Sequence, residues 1–232
     1  MTEDLLGLSS QPGDLHYRAY VGPARDYDLV SAMAFGLLAA CGLRQNHRLL
    51  DVGCGSLRLG RLLIPYLNPC NYVGLEPNKW LVEEGLRYEV GDSLVEVRQP
   101  TFVYDTSLAS WPSDSMFDYA VAQSIFSHTG PDLLGQWLSE ISLRLSDGGI
   151  LLATIIEGDS DCTTSGWVYP ECVEYRLDTV ASLVKNVGLS FMVLDWYHPR
   201  QVWCAIYQGD YKVALLNGGK PSWNNFGAQS MS

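Results

Sequence analysis

The stretch LLDVGCGSLRLG, residues 49–60, sets an acid, Asp51, two residues before Gly53 and leaves Cys54 alone between Gly53 and Gly55. A glycine turn of this kind after an apolar run lets the backbone approach a bound nucleotide. Two common phosphate readers do not match. The dinucleotide fingerprint G-x-G-x-x-G needs a glycine at position 58, where Arg58 stands, so the close approach of a pyrophosphate to the helix start is lost. The P-loop pattern, which sets Gly-Lys-Ser/Thr after its first glycine and four further residues, does not occur either. Asp51 would repel a pyrophosphate and suits an ammonium or sulfonium group. Glu76, closing the next apolar run NYVGLE, is placed to accept from both ribose hydroxyls. These residues describe a site for a nucleoside with a ribose, a positive charge and no phosphate.

The elements that must position them follow from the apolar pattern. Strand-like runs occupy residues 48–52, 71–76, 101–105, 118–124, 149–156, 191–196 and 202–208, with helical patterns between most of them. SLRLGRLLIPYL sets Leu59, Leu62, Leu63, Tyr66 and Leu67 on one face, and PDLLGQWLSEISLRL does the same with Leu134, Leu138, Ile141 and Leu145. Asp147-Gly148-Gly149 is expected to end that second helix. Alternation of this kind builds a doubly wound α/β sheet with helices on both faces. The last two runs are joined by YHPRQ alone, too short for a crossover, so they form an antiparallel hairpin. The expected sheet therefore has seven strands, six parallel and the last reversed. Three regions result: an N-terminal helical arm or lid (1–45), the α/β domain (46–209) and a polar, turn-rich tail (210–232). In the arm, Asp28 is expected to cap the run LVSAMAFGLLAACGL.

Composition narrows the function. The chain has 232 residues, 47% of them hydrophobic and 18% charged, and a formal net charge of −11. Its Lys and Arg form no run, which weighs against a nucleic acid as partner. No apolar run approaches the length of a membrane span, and the acidic N-terminus lacks a signal-peptide layout, so a cytoplasmic location is expected. The six cysteines show no C-x-x-C pair and read as small buried apolar residues. The four histidines are isolated, and no metal site is expected.

S-adenosylmethionine meets the description of the nucleoside. LLDVGCGSLRLG, YVGLEPN, FVYDTSLASWPSDSMFDYAVAQSIFSHT and LSDGGILLATII also resemble, in order, the motifs of class I S-adenosylmethionine-dependent methyltransferases, across roughly residues 48–208. SLRLGRLLIPYL with EPNKW is similar to a bacterial subgroup acting on small molecules. The resemblance implies a Rossmann-like sheet with a reversed last strand. It implies Gly53, Cys54 and Gly55 along the methionyl part, and Asp51 near its amino group. Glu76 would hold the ribose, Pro77 and Asn78 would border the adenine, and Asp105 and Thr106 would read its amino group. Gln123 and Ser124 would line the methionyl pocket. One departure stands out: Leu57 occupies a position that is glycine in many members.

The acceptor is less legible. AQSIF replaces the Asn/Asp-Pro-Pro-aromatic element of nucleobase methyltransferases, and Gln123 and Ser124 replace acids that bind metal in catechol-type enzymes. Metal-independent transfer to a small molecule, at oxygen rather than nitrogen, is the leading expectation. Protein side-chain methylation and an inactive cofactor-binding module are the alternatives. His128 and His198 are the candidate bases. The segment EGDSDCTTSGWVYPECVEYR supplies Trp167, Tyr169 and Tyr175 as acceptor contacts, and the arm residues Tyr17, Arg18 and Tyr20 are expected to close over the site. Trp80 either flanks adenine or begins the packed face of WLVEEGL.

Overall fold

Seven of the eight strands pair into one sheet in the order β3-β2-β1-β4-β5-β8-β7, in a computed structural model that describes residues 4–209. The strands are β1 (Leu49–Val52), β2 (Tyr72–Leu75), β3 (Thr101–Val103), β4 (Phe117–Ala122), β5 (Leu145–Glu157), β6 (Glu174–Tyr175), β7 (Ser190–Leu194) and β8 (Val202–Tyr207). β1 pairs in parallel with both β2 and β4, and β8 lies antiparallel between β5 and β7. This is the expected arrangement of six parallel strands and one reversed. The added β6 pairs only with the end of β5. The chain leaves β1 toward β2 and β3, then returns to place β4 on the other side. That reversal opens a crevice beyond the carboxyl ends of β1 and β4.

Helices α1 (Tyr17–Tyr20), α2 (Tyr27–Ala40), α3 (Gly60–Tyr66), α4 (Lys79–Gly85), α5 (Asp92–Arg98), α6 (Pro131–Ser142) and α7 (Leu177–Asn186) complete the fold. Strand alternation sends Leu50 and Val52 to one face, against Leu134, Leu138 and Ile141 of α6 and Val180 and Val184 of α7. Leu49 points to the other face, against Leu37 and Leu38 of α2 and Leu63 of α3. The helix of the arm is thus part of the core. Among the described residues no helix is long and apolar enough to cross a membrane.

Four local expectations are corrected. Helix α6 stops at Ser142, and Asp147-Gly148-Gly149 lies inside β5. There the β4–β5 register shifts between Phe117 and Tyr119, and Gly148 takes a φ of 72°, so the glycines serve a bulge and not a helix end. Asp28 sits in the first turn of α2, and its carboxylate pairs with Arg61 at 2.6 Å instead of capping. Helix α3 begins at Gly60, because Leu57 adopts a left-handed φ of 61° that no helix continues through. Cys41, Cys54 and Cys204 are buried, but Cys70 and Cys172 are exposed and Cys162 is half-buried. The tail, 210–232, lies outside the described residues.

Candidate active site

Beyond the ends of β1, β2 and β4 the structure encloses a cleft of about 210 Å³, lined by residues of the arm, the glycine turn and the segments that follow β2, β3, β4 and β5. Gly53 and Gly55 form its floor with φ values of 65° and 53°. A Cβ on Gly53 would strike Ile125, and one on Gly55 would strike Val21. Only glycine allows both this backbone and this close cover.

Glu76, one residue past β2, closes one end. Its Oε2 accepts from the Gly55 N–H at 3.1 Å, and its Oε1 accepts from the Asn78 N–H and the Asn78 side-chain amide, both at 2.8 Å. Burial pushes this carboxyl up, and the three donors work against that shift. Pro77, Asn78, Asp105 and Thr106 continue the wall. Asp105 makes an Asx turn, its Oδ1 accepting from the N–H groups of Thr106 and Ser107 at 2.6 and 3.2 Å.

Asp51 and Cys54 lie behind the glycine turn and are absent from the cleft wall. Asp51 is buried, accepts from the Tyr72 hydroxyl at 2.8 Å, and is pushed up to about 7 by burial. Burial likewise pushes the Cys54 thiol up. Gln123 and Ser124 reach the wall. Gln123 donates to the Val30 carbonyl at 3.1 Å, and the Ser124 N–H donates to the Thr154 hydroxyl at 2.7 Å.

His128 ends a 3-10 turn (Phe126–His128) and faces the cleft. Its Nδ1 lies 2.6 Å from the Glu171 carbonyl oxygen. A carbonyl can only accept, so Nδ1 carries the proton and Nε2 keeps the free lone pair. Burial lowers the pKa of the ring, which favours its neutral form. Trp167 and Tyr169 also line the cleft, stacked at 25°, with the His128 ring edge-on to Tyr169 at 4.9 Å. The loop carrying them is stitched to the segment after β4 by bonds from Val168 N–H to the His128 carbonyl and from Gly130 N–H to the Gly166 carbonyl. The Tyr169 hydroxyl in turn donates to the Tyr20 carbonyl, joining this loop to the arm.

Four further candidates lie off the cleft wall. His198 is not on the cleft wall. Its Nδ1 accepts from the Gln201 and Arg200 N–H groups at 3.0 and 3.3 Å, so its lone pair holds the hairpin turn and cannot take a proton from an acceptor. Tyr17 turns away to donate to Glu89 Oε1 at 2.9 Å. Tyr175 is fully buried, with its hydroxyl bonded to the Thr129 carbonyl, and serves the core. Trp80 packs edge-on against Tyr20 at 5.2 Å and does not line the cleft.

The structure adds residues the sequence reading passed over. Val21, Arg58, Ile125, Leu133 and Trp137 all line the cleft. Trp137 was findable, since it falls three residues after Leu134 on the inward face of α6. Arg58 also left a signal, a charge inside an otherwise apolar turn.

A parallel sheet with this switch point, a double-glycine turn at its first strand and an acid at the end of its second make up a Rossmann-like methyltransferase fold. The comparisons agree: residues 50–151 match a family model described as a methyltransferase domain. Among similar solved structures is magnesium protoporphyrin IX methyltransferase from Synechocystis PCC 6803, with bound SAM. It is 14% identical, with a TM-score of 0.59 and 79% of each chain covered. Another is a 1,6-didemethyltoxoflavin N1-methyltransferase from Burkholderia thailandensis, 16% identical, with a TM-score of 0.58 and 80% of each chain covered. A third is an S-adenosylmethionine-dependent methyltransferase from Clostridium acetobutylicum, 13% identical, with a TM-score of 0.57, covering 79% of this chain and 92% of that one. The residues present fit the cofactor, because the glycine floor admits a close ligand and Glu76 offers a carboxylate beside it.

Proposed function

We propose that the protein transfers the methyl group of S-adenosylmethionine to an oxygen of a small-molecule acceptor without a metal ion. The cofactor supplies an electrophilic methyl on a sulfonium, which an acceptor lone pair displaces in line. The chain's own task is to orient the acceptor, exclude water and take up a proton. Glu76 would hold the ribose, Pro77 and Asn78 would border the adenine, Asp105 and Thr106 would read its amino group, and the glycine floor would carry the methionyl part. Trp137, Trp167 and Tyr169 would shelter the acceptor, which suits a compact apolar molecule better than a polymer. Gln123 and Ser124, standing where metal-dependent members place acids, bond to the protein instead.

The observation that carries the reading is the contact of His128 Nδ1 with the Glu171 carbonyl. The Nδ1 proton is thereby committed, so the Nε2 lone pair belongs to the same cleft as Glu76. A neutral hydroxyl acceptor needs such a base. The solved relatives differ in their acceptors, and the toxoflavin enzyme methylates at nitrogen by its name. The test is calorimetric titration of S-adenosylmethionine, followed by measurement of S-adenosylhomocysteine formed with phenols, alcohols and amines. Turnover confined to hydroxyl acceptors is expected. Binding without turnover on any acceptor would favour a cofactor-binding module, and turnover on amines alone would reassign the acceptor atom.

A further inference from the structure

Arg58 is an arginine inside a cleft whose walls are otherwise mainly apolar and aromatic. Among the described residues that line the cleft it is the one Lys or Arg. Among the described residues its single direct hydrogen bond runs from Nη1 to the Val21 carbonyl at 2.9 Å, and none of their carboxylates lies within ion-pair distance. Arg18 and Arg61, by contrast, are each paired with Glu89. Asp51, the acid nearest in effect, is committed to Tyr72 and leans toward its neutral form. Glu76 and Asp105, the carboxylates of the cleft wall, belong to the segments after β2 and β3. Arg200, exposed on the hairpin beside it, adds a second positive charge, felt by Arg58, His128 and His198 alike. A chain with a formal net charge of −11 has thus left one end of its cleft positive.

A guanidinium presents five N–H donors in a planar fork, and one carbonyl leaves most of them unmatched. The partner whose shape fits that fork is a carboxylate.

We propose that Arg58, its charge reinforced by Arg200 of the hairpin, forms a carboxylate-binding site at the His128 and Tyr169 end of the cleft. Two sources could supply the carboxylate: the methionyl group of the cofactor, or an aromatic acid as methyl acceptor, which Trp167 and Tyr169 would stack against. The inference rests on the methyl-donor reading above.

The test compares Arg58→Gln and Arg58→Lys with the native protein by calorimetry. The probes are S-adenosylhomocysteine, 5′-methylthioadenosine (the same nucleoside thioether without a carboxylate), and benzoate added to the homocysteine-loaded protein. If the site takes the cofactor's carboxylate, Arg58→Gln weakens S-adenosylhomocysteine about 10–100-fold and leaves 5′-methylthioadenosine unchanged, with partial rescue in Arg58→Lys. If it takes the acceptor's, both nucleosides bind as before and benzoate binding is lost. Retained affinity for every probe that the native protein binds would overturn the proposal, as would an equal loss for both nucleosides, which marks a structural role. Failure of the methyl-donor reading looks different: the native protein itself would bind neither nucleoside.

Discussion

The Glu76 carboxylate accepts the Gly55 N–H at 3.1 Å, so the end of β2 is tied to the turn after β1 by a bond across 21 residues of sequence. The bond couples the proposed ribose acceptor to the floor that would carry the methionyl part. Removing the carboxylate therefore unsettles two contacts at once. Glu76→Ala is expected to weaken S-adenosylmethionine binding by about 10–100-fold, with a smaller loss for Glu76→Gln, which keeps one acceptor oxygen. Isothermal titration decides it; unchanged affinity in Glu76→Ala would remove Glu76 from the cofactor site.

His128→Asn is expected to lower kcat by about 10²–10⁴-fold while leaving cofactor affinity intact. As the proposed base, His128 would act when neutral. Burial lowers its pKa, so the acidic limb of the kcat profile is expected below the ordinary histidine value of about 6.5 and kcat stays flat above it. Steady-state rates across pH check both statements. A limb near 6.5 or above would contradict the assigned environment.

Stability against pH carries two opposite signs. His198 is held down to about 3 by burial and by Arg58 and Arg200. Below the unfolded value the unfolded chain binds a proton that the folded chain refuses, so this contribution is full above about 6.5 and fades as pH falls toward 3. Asp51 behaves in reverse. Its pKa is raised from 3.8 to about 7, so its contribution is full at low pH and is lost as pH rises through 7. Urea unfolding of Asp51→Asn is expected to show less loss of stability than the native protein between pH 5 and 8, and His198→Asn less loss between pH 6.5 and 4. A native-like pH slope in either variant would remove that residue from the account.

Leu57 stands in the left-handed region at a φ of 61°, fully buried against Gly60 and Gly85. Leu57→Gly relieves roughly 1–2 kcal/mol of backbone strain but forfeits a buried leucine, whose truncation costs about 2–5 kcal/mol. The variant is expected to be less stable by roughly 1–3 kcal/mol. Denaturant titration measures it, and a more stable variant would show that strain outweighs packing here.

Much of the sheet was readable because strands and helices have different apolar periods. The short YHPRQ connection was enough to demand one reversed strand, and β8 lies antiparallel between β5 and β7. Reading failed where a glycine pair serves more than one purpose. Asp147-Gly148-Gly149 carries the same letters in a helix end and in a bulge, and only the pairing of β5 with β4 distinguishes them. The helical pattern SLRLGRLLIPYL likewise overran the helix, which begins only at Gly60 because Leu57 takes a left-handed φ that the letters do not show.

By itself the sequence pointed to the class of ligand through the glycine spacing and Glu76, local chemistry that survives without coordinates, whereas the charge it assigned to Asp51 does not reach the cleft. Tertiary structure alone decided which side chains face that ligand. It put Asp51 and Cys54 behind the turn, gave the His198 lone pair to a hairpin, buried Tyr175, and turned Arg58 and Trp137 into the cleft. The reason is physical: a side chain's direction depends on strand pairing, turn geometry and long-range hydrogen bonds, which neighbours in sequence do not encode.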